Sequence, residues 1–206
     1  MADGLDPAVA ERTLDALRAS EALLDGHFLL SSGRHAGRYI QCARLLMYPE
    51  RAGQVCADLA QLMRDAGEAP FDAVIGPAMG AVTFSYELAR ALGARALFAE
   101  RVPEGGFALR RGFSVAPGER VLVAEDVVTT GKSAGEVLTM LEGMGAPAVA
   151  VGSIANRSGG DAPFGALPYF RAVDLEVPSW DPADCPLCAD PNVGPAIKPG
   201  SRPTAS

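Results

Sequence analysis

Residues 121–133 read Val-Leu-Val-Ala-Glu-Asp-Val-Val-Thr-Thr-Gly-Lys-Ser. An apolar strand runs into two adjacent carboxylates, Glu125 and Asp126, then through Val127 and Val128 into a small hydroxyl- and glycine-rich turn that opens a helix. At such a helix N-terminus the backbone N–H groups of Thr129, Thr130, Gly131, Lys132 and Ser133 can converge on an anion, and the helix dipole favours negative charge there. The two carboxylates at the strand's end can accept hydrogen bonds from vicinal ribose hydroxyls. Pair and cradle together describe a ribose 5-phosphate site rather than a solvated acidic turn. Gly-Lys-Ser does not make a nucleoside triphosphate loop: that motif needs a glycine five positions before its Gly-Lys, where Asp126 stands.

Outward from this stretch, strands and helices alternate. Pro7 to Leu24 is expected to form an amphipathic helix with Val9, Leu14, Leu17 and Leu23 inward and Gly26 ending it. Short strands follow near His27–Leu30 and Arg38–Cys42 around a Ser-Ser-Gly turn, then a helix from Pro49 to about Met63. Strand Ala73–Ile75 leads through Gly76-Pro-Ala-Met-Gly80 into a helix reaching Leu92, followed by strand Arg95–Ala99 and a Gly-rich excursion. Strand Arg120–Ala124, a helix from Gly131 to Met144 and strand Ala148–Ile154 complete the series. The pattern predicts an α/β fold, a mainly parallel sheet flanked by helices. Ligands of such sheets bind beyond the carboxyl ends of the strands, where Gly76–Gly80, Glu125–Ser133 and Asn156–Gly160 converge.

Composition suits one domain over residues 1–206: 49% of residues are apolar and 21% charged, enough for a full core. Its parts are an N-terminal helix and hood (1–45), a core (46–176) carrying a lid (100–112), and a Pro-rich tail (177–206). The net charge of −7 argues against nucleic acid as a partner. No apolar run is long enough to span a bilayer and the start lacks a secretory signal, so a cytoplasmic location is expected and no membrane partner. Four cysteines are too few for a disulfide framework. Cys185-Pro-Leu-Cys188 reads as a structural turn, since Cys42, Cys56, His27 and His35 lie far upstream without ligand-like spacing, and no metal ligand is assigned.

The excursion Glu100-Arg-Val-Pro-Glu-Gly-Gly-Phe-Ala-Leu-Arg-Arg-Gly112 has the glycines of a mobile β-hairpin. Arg101, Arg110 and Arg111 offer rigid guanidinium forks for phosphate oxygens. Alternatively, it is a surface hairpin whose arginines pair with solvent-facing acids.

Glu125–Ser133 resembles the phosphoribosyl diphosphate (PRPP) motif of type I phosphoribosyltransferases. His27-Phe-Leu-Leu-Ser-Ser-Gly-Arg-His35 with Arg38-Tyr-Ile-Gln41 resembles the base-binding hood of the orotate phosphoribosyltransferase family, and the likeness reaches to about residue 160. The resemblance implies transfer of a 5-phosphoribosyl group from PRPP to orotate, giving orotidine 5′-phosphate and diphosphate in pyrimidine biosynthesis. Glu125 and Asp126 would hold the ribose hydroxyls, with Asp126 as the proton-handling carboxylate. Val127, Val128 and Thr129 to Ser133 would bind the 5-phosphate, with Met79 and Gly80 at the diphosphate. Thr129, Arg157, Ser31 and Tyr39 would meet the orotate. Arg101, Arg110 and Arg111 would serve the departing diphosphate from a lid shared across a homodimer, and Mg2+ would arrive bound mainly through PRPP. The chain departs from many members in lacking lysines at Ser31, Gly80 and beside Val102; Arg110, Arg111 and Lys132 are expected to supply part of that charge.

From Pro178 to Pro203 the prolines discourage regular elements, with Trp180 as a candidate anchor. Two other readings share the cradle: a phosphoribosyltransferase for another nucleobase, which would not need the Phe28–Gln41 hood, and a non-catalytic PRPP-binding regulator, which would lack the lid.

Overall fold

In the computed structural model, which describes residues 5–30, 32–159 and 164–198, Asp6 caps helix α1 (Pro7–Ala19) by accepting from the backbone N–H groups of Ala8 and Val9 at 2.8 and 3.0 Å. The helix stops five residues earlier than its apolar spacing suggested. Ser20 is the cap, Glu21 takes a φ of 49°, and Ala22 donates back to the Leu17 carbonyl, which turns the chain before Leu23. Leu23 therefore belongs to strand β1 (Leu23–Leu29), opposite Ile40 of β2 (His35–Ile40). Gly26 is no helix stop; it lies at a register shift between Asp25 and Phe28, where a Cβ would come within 3.1 Å of the Phe28 ring.

After a short helix α2 (Cys42–Leu46), α3 (Pro49–Asp65) precedes β3 (Ala73–Pro77), α4 (Val82–Leu92) and β4 (Arg95–Arg101). Gly93, in the left-handed region at φ 73°, closes α4. The lid residues form the expected hairpin: β5 (Phe107–Leu109) pairs antiparallel with the end of β4, Ala99 opposite Leu109. Then come β6 (Val121–Val128), α5 (Lys132–Gly143) and β7 (Ala148–Asn156). A further strand that sequence patterning did not identify, β8 (Tyr169–Asp174), pairs parallel with β7.

The main sheet has the order β5-β4-β3-β6-β7-β8, parallel except for β5. Both faces are covered. Leu17, Leu59, Met63, Phe84 and Leu88 of α1, α3 and α4 pack with Val74, Leu122 and Ile154. Val137 and Leu141 of α5 pack with Ile75, Val121, Val123 and Val151 on the other side. A strand buried on both faces needs apolar residues in succession, which explains the unbroken Val121–Ala124 run. Because β3, β6 and β7 run in parallel, their carboxyl ends deliver three loops to one edge.

Residues 177–198 form more regular structure than their prolines implied. Residues Ser179–Trp180 form β9, paired with β2 in a separate three-stranded sheet, followed by a single 3₁₀ turn and a short helix α6 (Pro186–Ala189). Local propensity is overridden by an available strand edge and by Arg34, which donates to the Ser179 carbonyl at 2.6 Å and pairs with Asp181 at 3.0 Å. Further on, Ile197 bridges to Phe28 beside β1.

Candidate active site

Glu125 and Asp126 lie within β6 rather than beyond it, so pleating sends them to opposite faces. Glu125 shares the α5 side with Val121 and Val123, and its Oε2 accepts from the Ala134 backbone N–H at 2.8 Å. Burial first, and then the charge of Asp126, push its carboxyl up to about 7; bonds from Ala134 and Ser133 and the charge of Arg101 oppose this. Asp126 takes the other side, against Gly80, where a Cβ would stand 3.3 Å from its Oδ1. Burial raises the Asp126 carboxyl as well, offset by backbone N–H groups. The Cys42 thiol, pushed up by burial, lies 3.8 Å from the Asp126 carbonyl.

Gly76 explains why the first loop can approach so closely. A Cβ there would lie 2.8 Å from the Ala81 carbonyl oxygen and 2.9 Å from the Ala81 Cβ, so only glycine lets β3 run this tightly under the start of α4. Met79, joined to Ala78 by a cis peptide, is exposed and lines a cavity of about 350 Å³ with Ala43, Leu46, Met47, Gly80 and Thr83.

The cradle follows β6 directly. Gly131, at φ 70°, turns the chain into α5 and brings no side-chain cap of its own, while the Ala134 N–H in the first turn is taken by Glu125. Thr129, Thr130 and Lys132 are exposed, and the Lys132 N–H lies 3.4 Å from the Thr130 Oγ1. An accessible helix start with no side chain at its cap position is a ready anion site. The Lys132 ammonium stands 3.9 Å from Glu136, a residue that sequence reasoning missed although its i,i+4 spacing from Lys132 marks the contact.

Past β7, the Arg157 N–H donates to the Val128 carbonyl at 2.7 Å, which fixes this residue beside the cradle. Burial depresses its guanidinium, partly countered by Tyr39, and its buried Nε has no hydrogen-bond partner among the described residues. An orphaned guanidinium N–H in a half-buried position calls for an acceptor. Tyr39 is raised by burial, lowered by Arg157 and raised by Asp126, so hydroxyl, cation and carboxylate share one neighbourhood. Phe28 backs Tyr39 with ring centroids 5.8 Å apart. Ser31 lies outside the described residues.

The three lid arginines do not act alike. Arg101 pairs with Glu136 of α5 at 2.8 Å, stacks over Phe107 at 4.4 Å and acts on Glu125, so it belongs to the carboxylate end of the site. Arg111, at φ 58°, spends its fork on Glu100 at 2.9 and 3.2 Å, as the surface-hairpin alternative anticipated. Arg110 is exposed.

The spacing that sets the histidines apart from the Cys pair along the chain does not hold in space. The C-terminal Cys pair does have histidine partners: the β1–β2 hairpin brings His27 and His35 to Cys185 and Cys188, with all four ligand atoms within 4.8 Å of one another. Sequence distance hid this, because the tail returns to the hood.

A parallel sheet whose switch-point loops present a paired carboxylate, an accessible Thr-Thr-Gly helix start and a tight glycine loop defines the class as a type I phosphoribosyltransferase. Residues 48–170 match the family model for the phosphoribosyl transferase domain. The chain is 50% identical over 192 residues to an orotate phosphoribosyltransferase of Heliobacterium modesticaldum, covering 93% of this chain and 98% of that one. It is 51% identical over 188 residues to that of Thermotoga maritima, covering 91% and 97%. Among solved structures, orotate phosphoribosyltransferase of Aeropyrum pernix superposes with a TM-score of 0.63 at 26% identity, over 79% of this chain and 94% of that one. The Mycobacterium tuberculosis enzyme in complex with PRPP shares the fold, with a TM-score of 0.58 at 22% identity over 80% and 89%. The chain belongs to the orotate phosphoribosyltransferase family.

Proposed function

We propose that this protein transfers the 5-phosphoribosyl group of PRPP to orotate, releasing diphosphate. The observation that carries the choice of base is Arg157: a half-buried guanidinium whose Nε has no partner among the described residues, next to Tyr39, suits an acceptor with a carboxylate and a flat ring. Orotate has both; uracil and the purine bases have no carboxylate.

Breaking the bond from ribose C1 to diphosphate develops positive charge on the sugar and negative charge on the leaving group. Asp126 and Glu125 hold the ribose hydroxyls from the two faces of β6, Thr129 to Ser133 donate to the 5-phosphate, and Gly80 lets the diphosphate approach beside Asp126. Arg101, freed from Glu136, is the lid cation best placed for the leaving group, ahead of Arg110 and Arg111. Orotate nitrogen attacks C1, and closure of the 100–112 hairpin excludes water. Asp126, the carboxylate beside Gly80, takes any proton.

The site's hard oxygen donors fit Mg2+: two carboxylates whose burial raises them gain most from a cation that draws them ionised. Bound through PRPP, Mg2+ would neutralise charge on the diphosphate, with Glu125 and Asp126 orienting its waters. A homodimer is supported by the exposed apolar side chains Met47, Met79 and Tyr86 around α2 and α4. Four free cysteines suit a reducing, cytoplasmic compartment.

The test is loss of orotate absorbance on mixing protein, PRPP and Mg2+, with uracil, adenine, hypoxanthine and xanthine in parallel. Orotate consumption that requires PRPP and metal and fails in Asp126→Asn supports the reading. Turnover of another base, or PRPP binding without turnover, overturns it.

A further inference from the structure

We propose that His27, His35, Cys185 and Cys188 bind a structural Zn2+ that locks the C-terminal tail onto the hood. The His27 Nε2 lies 2.9 Å from the His35 Nδ1 and 3.6 Å from each of the Cys185 and Cys188 sulfurs, and the Cys188 sulfur lies 3.3 Å from the His35 Nδ1. A tetrahedral zinc with ordinary bond lengths spaces its ligands by ~3.3 Å for N···N, ~3.6 Å for N···S and ~3.8 Å for S···S. Both separations from the His27 Nε2 to sulfur match such an edge, the His35–Cys188 and His27–His35 separations are a few tenths of an ångström short of it, and all four atoms lie within 4.8 Å of one another.

Hydrogen bonding leaves this cluster crowded around one acceptor. The His27 Nδ1 lies 2.9 Å from the Gly194 carbonyl, which only accepts, so Nδ1 carries the proton and Nε2 of the neutral ring has one lone pair. Three groups converge on that lone pair: the His35 Nδ1 and both sulfurs. One cation at the centre gives each of the four atoms a partner. The contact to Gly194 is also the outer-shell bond that holds a metal-bound imidazole in its tautomer and orientation.

Two of the four ligands are buried, His35 is half-buried and Cys188 is exposed at the rim. His27 is 7% exposed and Cys185 3%. The ligands come from β1, β2, the cap of α6 and α6 itself, and they complete a two-sulfur, two-nitrogen set that suits zinc and leaves no open position for substrate. The sulfurs sit on a proline-rich segment held otherwise by a two-residue pairing of β9 with β2, by Arg34 and by Ile197. The neighbouring residue Phe28 packs on Tyr39, so the clamp supports the strands that carry the base-binding side chains. Nothing in this inference depends on which base the enzyme uses.

The experiment is elemental analysis of the full-length, untagged protein purified anaerobically, with cobalt(II) replacement of any metal removed by chelator. The expected result is about one zinc per chain, and for cobalt the thiolate charge-transfer and intense visible bands of a tetrahedral sulfur–nitrogen site. In Cys185→Ser/Cys188→Ser the metal should fall by roughly tenfold or more, and limited proteolysis should release the tail faster. Protein that holds no metal with four reduced thiols, or that isolates with a Cys185–Cys188 disulfide, overturns the inference, as does metal retained by the double variant. Should that variant not fold, the cobalt spectrum of the chelator-treated native chain decides: a six-coordinate spectrum or no uptake overturns the proposal.

Discussion

Replacing Glu125 by Gln should stabilise the ligand-free protein while disabling it. The Glu125 carboxyl is raised from an ordinary value of 4.5 to about 7, mainly by burial. The folded chain holds this proton more tightly than the unfolded chain, so the contribution favouring folding is complete below about pH 4.5 and is lost as pH rises through about 7. Above that pH the native protein keeps a poorly solvated charge, at a cost of about 3 kcal/mol at ~1.4 kcal/mol per pH unit. Gln keeps an acceptor for the Ala134 N–H but carries no charge. Urea unfolding without ligand should therefore show Glu125→Gln more stable at pH 8.5, with an advantage about 2 kcal/mol larger than at pH 5.5. At this chain length the pH 8.5 advantage corresponds to a Tm rise of about 6–12 °C. PRPP with Mg2+ should reverse the order, because only the native carboxylate gains ligand stabilisation. An advantage that does not change with pH, or a variant less stable than the native protein at pH 8.5, would refute the assignment of burial as the dominant effect.

Arg157→Ala should lower kcat/KM for orotate by roughly 10- to 150-fold, the worth of a hydrogen bond to a charged group at about 1.5–3 kcal/mol, while KM for PRPP changes little; steady-state kinetics with each substrate varied reads the split. Gly76→Ala places a methyl against Ala81 and Ser85. It should cost about 1–3 kcal/mol in denaturant unfolding and weaken PRPP binding, measured by calorimetry, because the displaced loop moves Gly80 away from Asp126. Leu122→Ala, at a fully buried position in the middle of the sheet, should cost about 2–5 kcal/mol with residual kinetics near normal at a temperature where the variant is folded.

The strands β3, β4, β6 and β7 could be read from the chain because each is a short apolar run bounded by glycine, proline or charge. The helix α4 could be read because Gly93 ends it cleanly. Glu125, Asp126 and the Thr-Thr-Gly turn were legible for a stronger reason: their chemistry depends on neighbours a few positions away. Strand β8 is not legible along the chain because Tyr169–Asp174 carries the half-buried Arg171 in its middle and has no flanking periodicity, and only the edge of β7 makes it a strand. The end of α1 was misplaced because helical spacing continues through Leu23 even though the backbone turns at Glu21.

Sequence alone determined the α/β class, the phosphate cradle and its carboxylate pair, since period, turn chemistry and adjacent side chains are local properties of the chain. Tertiary structure decided what depends on distant segments meeting. It joined Arg101 to Glu136 and set Arg111 against Glu100. It left the Arg157 Nε unpartnered beside Tyr39 and raised Glu125 by burial. It also carried Cys185 and Cys188 back across more than 150 residues to His27 and His35. The ligand spacing that matters there is a distance in space, fixed by β9 pairing with the hood, and no interval along the chain encodes it.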